Sequence, residues 1–187
     1  MKADTALIII DMINNMEFEG SENLLINTKP MIEPLLNLKQ SAKEQGVPTI
    51  YVNDNFELWR EDLGRLIEEC IKGIGKEFVE QFIPKKDDFF IFKSKHSGFY
   101  ETQLNTLLKE MEIKNLILTG IAGDICVVFT AFDAYMREYN LWVPKDCLAS
   151  EVVEDNDNAL KLINRSLFAN ISPSTEIEIK DVFKSEN

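Results

Sequence analysis

Three residues of this chain combine a reactive side chain with a place at the end of an apolar run. Asp11 closes the run Ala6–Ile10, Lys93 closes Asp88–Phe92 (DFFIF), and Cys126 lies in GIAGDICV (Gly120–Val127), just past Asn115–Thr119. Taken singly, each has a plain structural role. Cys126 reads equally as a small buried hydrophobe, Asp11 as a cap or loop anchor, and Lys93 as a solvated strand end. Taken together they make a nucleophilic site. Asp11 takes the thiol proton, Lys93 stabilises the thiolate and keeps Asp11 ionised, and Cys126 attacks. A helix beginning at about Asp124 puts Cys126 in its first turn, where unpaired N–H groups and the helix dipole favour a thiolate. The same N–H groups could hold a developing oxyanion. On this basis Cys126 is expected to be the most reactive of the three cysteines, with Cys70 and Cys147 structural.

The elements that must position these residues alternate along the chain. Ala6–Ile10, Pro48–Asn53, Asp88–Phe92, Asn115–Thr119 and Leu141–Pro144 read as strands. The uninterrupted apolar character of the first suits a parallel sheet buried on both faces. Thr175–Lys180 (TEIEIK) alternates strictly and reads as a half-exposed sixth, edge strand. Helices are predicted over about Thr28–Gln45, with Gly46 as the stop, and over Asp62–Cys70, Glu77–Phe82, Glu101–Glu110, Asp124–Glu138 and Asn156–Phe168. The rhythm implies an α/β three-layer sandwich, a doubly wound, mainly parallel six-stranded sheet with helices on both faces. Ligands of such sheets bind beyond the strands' C-terminal ends, which is where Asp11, Asn53–Asp54, Lys93 and Gly120–Cys126 fall.

Composition narrows the class. The 187 residues are 45% hydrophobic and 28% charged, with 8 Gly and 6 Pro, as in one folded globular domain spanning 1–187. Twenty Lys and Arg against 32 Asp and Glu leave a net charge of −12, which disfavours nucleic acid and anionic membrane surfaces as partners. No apolar run reaches the roughly 18–20 residues of a membrane span. The N-terminus runs directly into the first strand with no cleavage signal, so a cytoplasmic location is expected. Three cysteines without CxxC spacing and one histidine, His96, indicate neither a disulfide framework nor a zinc site. GIGKEF near Gly73 lacks P-loop spacing and no GxGxxG follows the first strand, so no nucleotide cofactor is expected. In NDNFELWRED, Phe56, Trp59 and Arg60 could line a lid over a planar substrate, or simply pack the loop. The aromatic residues Phe56, Trp59, Phe78 and Phe82 exceed what one such domain readily hides, which points to a homodimer or higher homo-oligomer.

The motifs resemble those of the isochorismatase-like cysteine hydrolases, which include nicotinamidases, N-carbamoylsarcosine amidohydrolases and ureidoacrylate amidohydrolases. LIIIDMINNM resembles the first-strand motif, its aspartate falling on Asp11. KSKHSGFYET resembles the lysine segment, with Lys93, Ser97 and Phe99 in place. GIAGDICV followed by VFTAFDA resembles the nucleophile segment, its cysteine falling on Cys126. The resemblance spans Ala6 to Asp146. It implies a Cys–Asp–Lys triad, a cis peptide between Ile121 and Ala122, an oxyanion hole from the N–H groups of Ala122 and Cys126, and the sheet order 3-2-1-4-5-6. Strand three would then lie two strands, roughly 9.5 Å, from strand one, so the segment after Phe92 must curl back for Lys93 to reach Asp11. Beside the resemblance, Asp54, Phe56, Trp59 and Arg60 are the candidate substrate contacts. The chain departs from it where nicotinamidases hold a metal through Asp-x-His. Here the residues are Asp54-Asn55-Phe56, so no metal is expected. Ile13-Asn14-Asn15-Met16 replaces the usual Gln-Asn-Asp-Phe, and Gly123 replaces a usual Thr. The expected activity is cofactor-free cleavage of a C–N bond in a small amide or ureido compound through a thioester. Vinyl-ether hydrolysis of the isochorismate type and a non-catalytic, redox-sensing binding protein are the alternatives.

Overall fold

The computed structural model of the protein describes residues 4–56 and 62–184. Strand β1 (Thr5–Ile10) lies at the centre of a parallel sheet, between β2 (Thr49–Asp54) and β4 (Asn115–Ile121). All six β1 residues are buried, because successive side chains point to opposite faces and both faces are covered. Ala6, Ile8 and Ile10 enter one apolar cluster, while Leu7 and Ile9 enter the other. Each fully buried Leu or Ile side chain contributes about 1.5–3 kcal/mol, which fixes the backbone leading into Asp11.

Strand β3 (Phe89–Lys93) pairs with β2, and β5 (Asn140–Trp142) with β4, giving the order β3-β2-β1-β4-β5. The expectation for the sixth strand needs correction. Strand β6 is Leu148–Ala149, and it pairs with Gly120–Ile121 at the C-terminal end of β4, whose N-terminal end pairs with β5. β5 and β6 thus share one edge of β4, separated by a 3₁₀ turn at Lys145–Cys147. Thr175–Lys180 is not a strand. The Asp146 carboxylate accepts the N–H groups of Ser174 and Thr175 and binds the chain into a turn. Beyond β5 the sheet gains only a bridge at Asn170. The alternating Ile177 and Ile179 pack instead onto the apolar cluster, Ile179 at the start of a short helix, Ile179–Val182.

Helices cover both faces. On one lie α1 (Ser21–Glu44), α2 (Leu63–Cys70) and α3 (Lys76–Phe82); on the other lie α4 (Leu104–Glu110), α5 (Val128–Tyr135) and α6 (Val153–Leu167). Helix α1 begins at Ser21 rather than about Thr28, since Leu24 and Thr28 extend the buried stripe of Met31, Leu35, Leu38 and Ala42. Pro30, which fits a first helical turn by its missing N–H, is carried inside this longer helix. Phe78 and Phe82 are buried, so they do not supply the surplus apolar surface on which an interface was expected. Phe129, Met136 and Phe168 are among the large apolar side chains that are exposed instead. Among the described residues no helix is long and apolar enough to cross a membrane.

Candidate active site

Asp11 leaves β1 with φ 53, in the left-handed region that Asp tolerates better than most residues. This turn drops its side chain beside the end of β2, where Oδ1 accepts the Asp54 N–H at 2.7 Å. Gly120 makes the close approach of β4 possible. It is paired with Ile10 at φ 112, and a Cβ there would meet the Ile10 carbonyl oxygen at 2.1 Å. A non-glycine residue could take neither the angle nor the space.

Lys93 is the last residue of β3, in register with Asp54. Contrary to the expectation, the segment after Phe92 does not curl back; the lysine side chain itself crosses β2. Its Nζ lies 2.8 Å from Asp11 Oδ2, donates to the Lys95 carbonyl at 3.1 Å, and stands 3.4 Å from Cys126 Sγ. These contacts use all three ammonium protons. Asp54 Oδ2 is a further 3.9 Å neighbour. The two charged side chains are almost sealed, Lys93 1% and Asp11 7% exposed, whereas Asp54 is 36% exposed and so lies nearest solvent.

Cys126 does not sit in an ordinary first helical turn. Gly123–Val127 forms a π turn ahead of α5, with the Val127 and Ile125 N–H groups both reaching the Ala122 carbonyl at 3.1 and 3.2 Å. Such wide turns occur often at functional sites. Ala122 precedes the turn in extended conformation, and the Ile121–Ala122 peptide is cis. The turn is held from outside by Ser150, whose Oγ accepts the Asp124 N–H and donates to Asn156 Oδ1.

The electrostatics correct one expectation. Burial pushes the Cys126 thiol well above its usual range, and the neighbouring Asp11 carboxylate pushes it further; Lys93 opposes both only in part. Burial and Asp11 thus favour the thiol form of Cys126 over the thiolate. Burial also raises Asp11, against the pull of Lys93. For Lys93, burial acts to lower the pKa, but Asp11 and Cys126 outweigh it and the group is raised. The ammonium is retained. Burial likewise lifts Cys70, to about 11, and Cys147 still higher; what sets Cys126 apart is not the direction of its shift but the Lys93 ammonium 3.4 Å from its Sγ.

Among the remaining expected site residues, Phe56 packs partly buried against the apolar cluster of α1–α3 with φ 44, and Trp59 and Arg60 lie outside the described residues. His96 is exposed, its ring 5.3 Å from that of Phe129. Two side chains support this arrangement. Asn53 accepts the Ile13 N–H and donates to its carbonyl, both at 2.9 Å, pinning the segment after Asp11. Asp133 on α5 accepts the hydroxyl proton of Ser97, joining the lysine loop to the helix that follows Cys126. Asn53 is marked by its place at a strand end, whereas Asp133 gives no local signal in the sequence. Among the described residues no group of three or more His, Cys, Asp or Glu is placed to hold a metal ion.

A parallel sheet with a buried carboxylate and ammonium meeting a half-buried thiol beyond its C-terminal edge defines a small-molecule site of the kind found in α/β enzymes. The isochorismatase domain family matches residues 5–176. The uncharacterized isochorismatase family protein YaaI of Bacillus subtilis (strain 168) is 47% identical over 176 residues, covering 94% of this chain and 97% of that one. The chain belongs to the isochorismatase family of hydrolases. Its fold is similar to N-carbamoylsarcosine amidase of Thermoplasma acidophilum, with TM-score 0.70 and 26% identity over 95% of this chain and 99% of that one. It is also similar to the nicotinamidase PncA of Bacillus subtilis, with TM-score 0.72 and 26% identity over 92% and 99%.

Proposed function

We propose that this hydrolase cleaves the C–N bond of a small amide or ureido substrate through a thioester on Cys126, without a cofactor. The observation that carries the reading is the position of Lys93 Nζ, 2.8 Å from Asp11 and 3.4 Å from Cys126 Sγ. One cation thereby serves both the base and the nucleophile. The likeness to amidases of ureido and amide compounds supports the choice of bond.

The thiol proton passes to Asp11 as Sγ attacks the substrate carbonyl carbon. The raised thiol makes this transfer concerted with attack, and the raised carboxylate makes Asp11 a stronger base than a solvated one. The Ala122 and Cys126 N–H groups take the developing oxyanion. On collapse the C–N bond breaks, Asp11 gives its proton to the departing nitrogen, and a thioester remains. Asp11 then takes a proton from water as its oxygen attacks the thioester carbonyl. The C–S bond breaks, and the proton returns to Cys126 with release of the acid. Lys93 remains an ammonium throughout. Asp54, at the exposed side of the site, contacts the substrate together with Phe56, Trp59 and Arg60. A redox-sensing role fits less well, since sensor cysteines have lowered pKa values and Cys126 has the reverse.

The test is turnover on a panel of small amides, ureido acids and isochorismate, with intact-mass detection of an acyl adduct. Cys126→Ala should remain folded and lose turnover to below about one-hundredth of wild type. Retained turnover would overturn the covalent mechanism.

A further inference from the structure

We propose that Thr130 is a positioning residue of this site, its hydroxyl setting the approach of the lysine loop to the nucleophile. Thr130 lies on α5 one turn beyond Cys126 and is fully buried. Its Oγ1 donates to the Cys126 carbonyl at 2.7 Å and accepts the Gly98 N–H at 2.9 Å. A hydroxyl has one proton to give and lone pairs to receive, so this one group serves both partners at once.

The consequence follows from what Gly98 belongs to. It lies in the loop that leaves Lys93, and that loop also supplies the Lys95 carbonyl which takes one of the ammonium protons. The Ser97 hydroxyl, bonded to Asp133 on α5, accepts the Phe99 N–H at 3.1 Å, and Thr102 Oγ1 donates to the Gly98 carbonyl at 2.6 Å. The loop is thus folded on itself and attached to α5 at two points, Ser97–Asp133 and Gly98–Thr130. Only the second leads directly to the backbone of Cys126. Thr130 therefore ties the lysine's loop to the carbonyl of the nucleophile, across a Lys93–Cys126 separation of 3.4 Å. Loss of the hydroxyl leaves a buried N–H without its partner and lets the loop relax toward solvent.

The inference rests on reading Cys126 as the nucleophile, so its test needs no substrate. Iodoacetamide alkylation of Cys126 is followed at fixed alkaline pH by peptide mass, in wild type, Thr130→Val, Thr130→Ala and Thr130→Ser. Thermal unfolding of each variant serves as the control for folding. Thr130→Val keeps the shape and removes both bonds. It should alkylate Cys126 more slowly than wild type, by about fivefold or more, as the thiolate loses Lys93. Thr130→Ser should restore the wild-type rate. If Thr130→Val does not fold, Thr130→Ala carries the same comparison. A merely structural role would loosen the site and leave the rate unchanged or faster, and either result overturns the proposal. Absence of amide turnover by the wild type would instead remove the hydrolase reading and leave this comparison standing.

Discussion

The Lys93 ammonium lies 2.8 Å from the Asp11 carboxylate although β2 separates the strands that carry them, and both side chains are sealed from solvent. Two opposite charges so placed are each other's main compensation for lost hydration.

Replacing Lys93 with Met keeps roughly the side-chain length and strands the carboxylate. Breaking one partner of a buried pair costs about 3–5 kcal/mol, so the urea midpoint of Lys93→Met should fall markedly and turnover should be lost. Adding Asp11→Asn, which removes the stranded charge, should recover part of the stability but none of the activity. An unchanged midpoint in Lys93→Met would show that the pair contributes nothing.

The pH dependence of kcat/KM follows from the same pair. In the proposed mechanism Asp11 must be ionised, and burial raises Asp11 above its ordinary 3.8. Activity should therefore fall on acidification at a pH above the usual carboxylate range. On the alkaline side Lys93 and Cys126 are both raised, so activity should persist through neutrality and beyond. An acid limb at or below the ordinary carboxylate value would contradict the assignment of Asp11 as base.

Gly123 is required by a neighbour rather than by its own backbone angle. A Cβ there would meet Asn156 Oδ1 at 2.0 Å and Ser150 Oγ at 3.3 Å. Gly123→Ala should thus push Asn156 from Ser150 and disturb the turn that carries Cys126, at a cost of about 1–3 kcal/mol. Combining it with Asn156→Ala should cost less than the sum of the two, because the changes share one space. Strict additivity in a double-mutant cycle would show that the contact is not the cause.

Chelation should leave turnover unchanged. The chain has one histidine, which is exposed, and no zinc-spaced cysteine pair. Loss of activity with a strong chelator, recovered by added zinc, would refute this.

Much of the fold was legible because burial on both faces leaves a plain mark in sequence. Ala6–Ile10 and Asn115–Thr119 could only be central strands, and a polar or charged residue at the end of each such run sits where parallel sheets place their ligands. TEIEIK misled for a related reason. Its alternation records which side chains are buried, Ile177 and Ile179, and says nothing about whether a neighbouring strand is there to pair with. That was decided by Asp146, distant in sequence, which turns the chain away.

The sequence alone determined the alternating α/β architecture and the residues of the candidate site, Asp11, Lys93 and Cys126, since strand ends and motif spacing are local properties. Only the tertiary structure decided how they meet. Lys93 reaches across β2 by its own side chain, the nucleophile turn is a π turn braced by Ser150 and Asn156, and Thr130 and Asp133 tie the lysine loop to α5. Only the tertiary structure, too, shows which way the surroundings of Cys126 shift its thiol. A helix start and a lysine, read along the chain, favour a thiolate, whereas burial and the adjacent Asp11 carboxylate favour the thiol. Desolvation depends on everything that surrounds a group, and the surroundings of Cys126 are assembled from segments far apart in the chain.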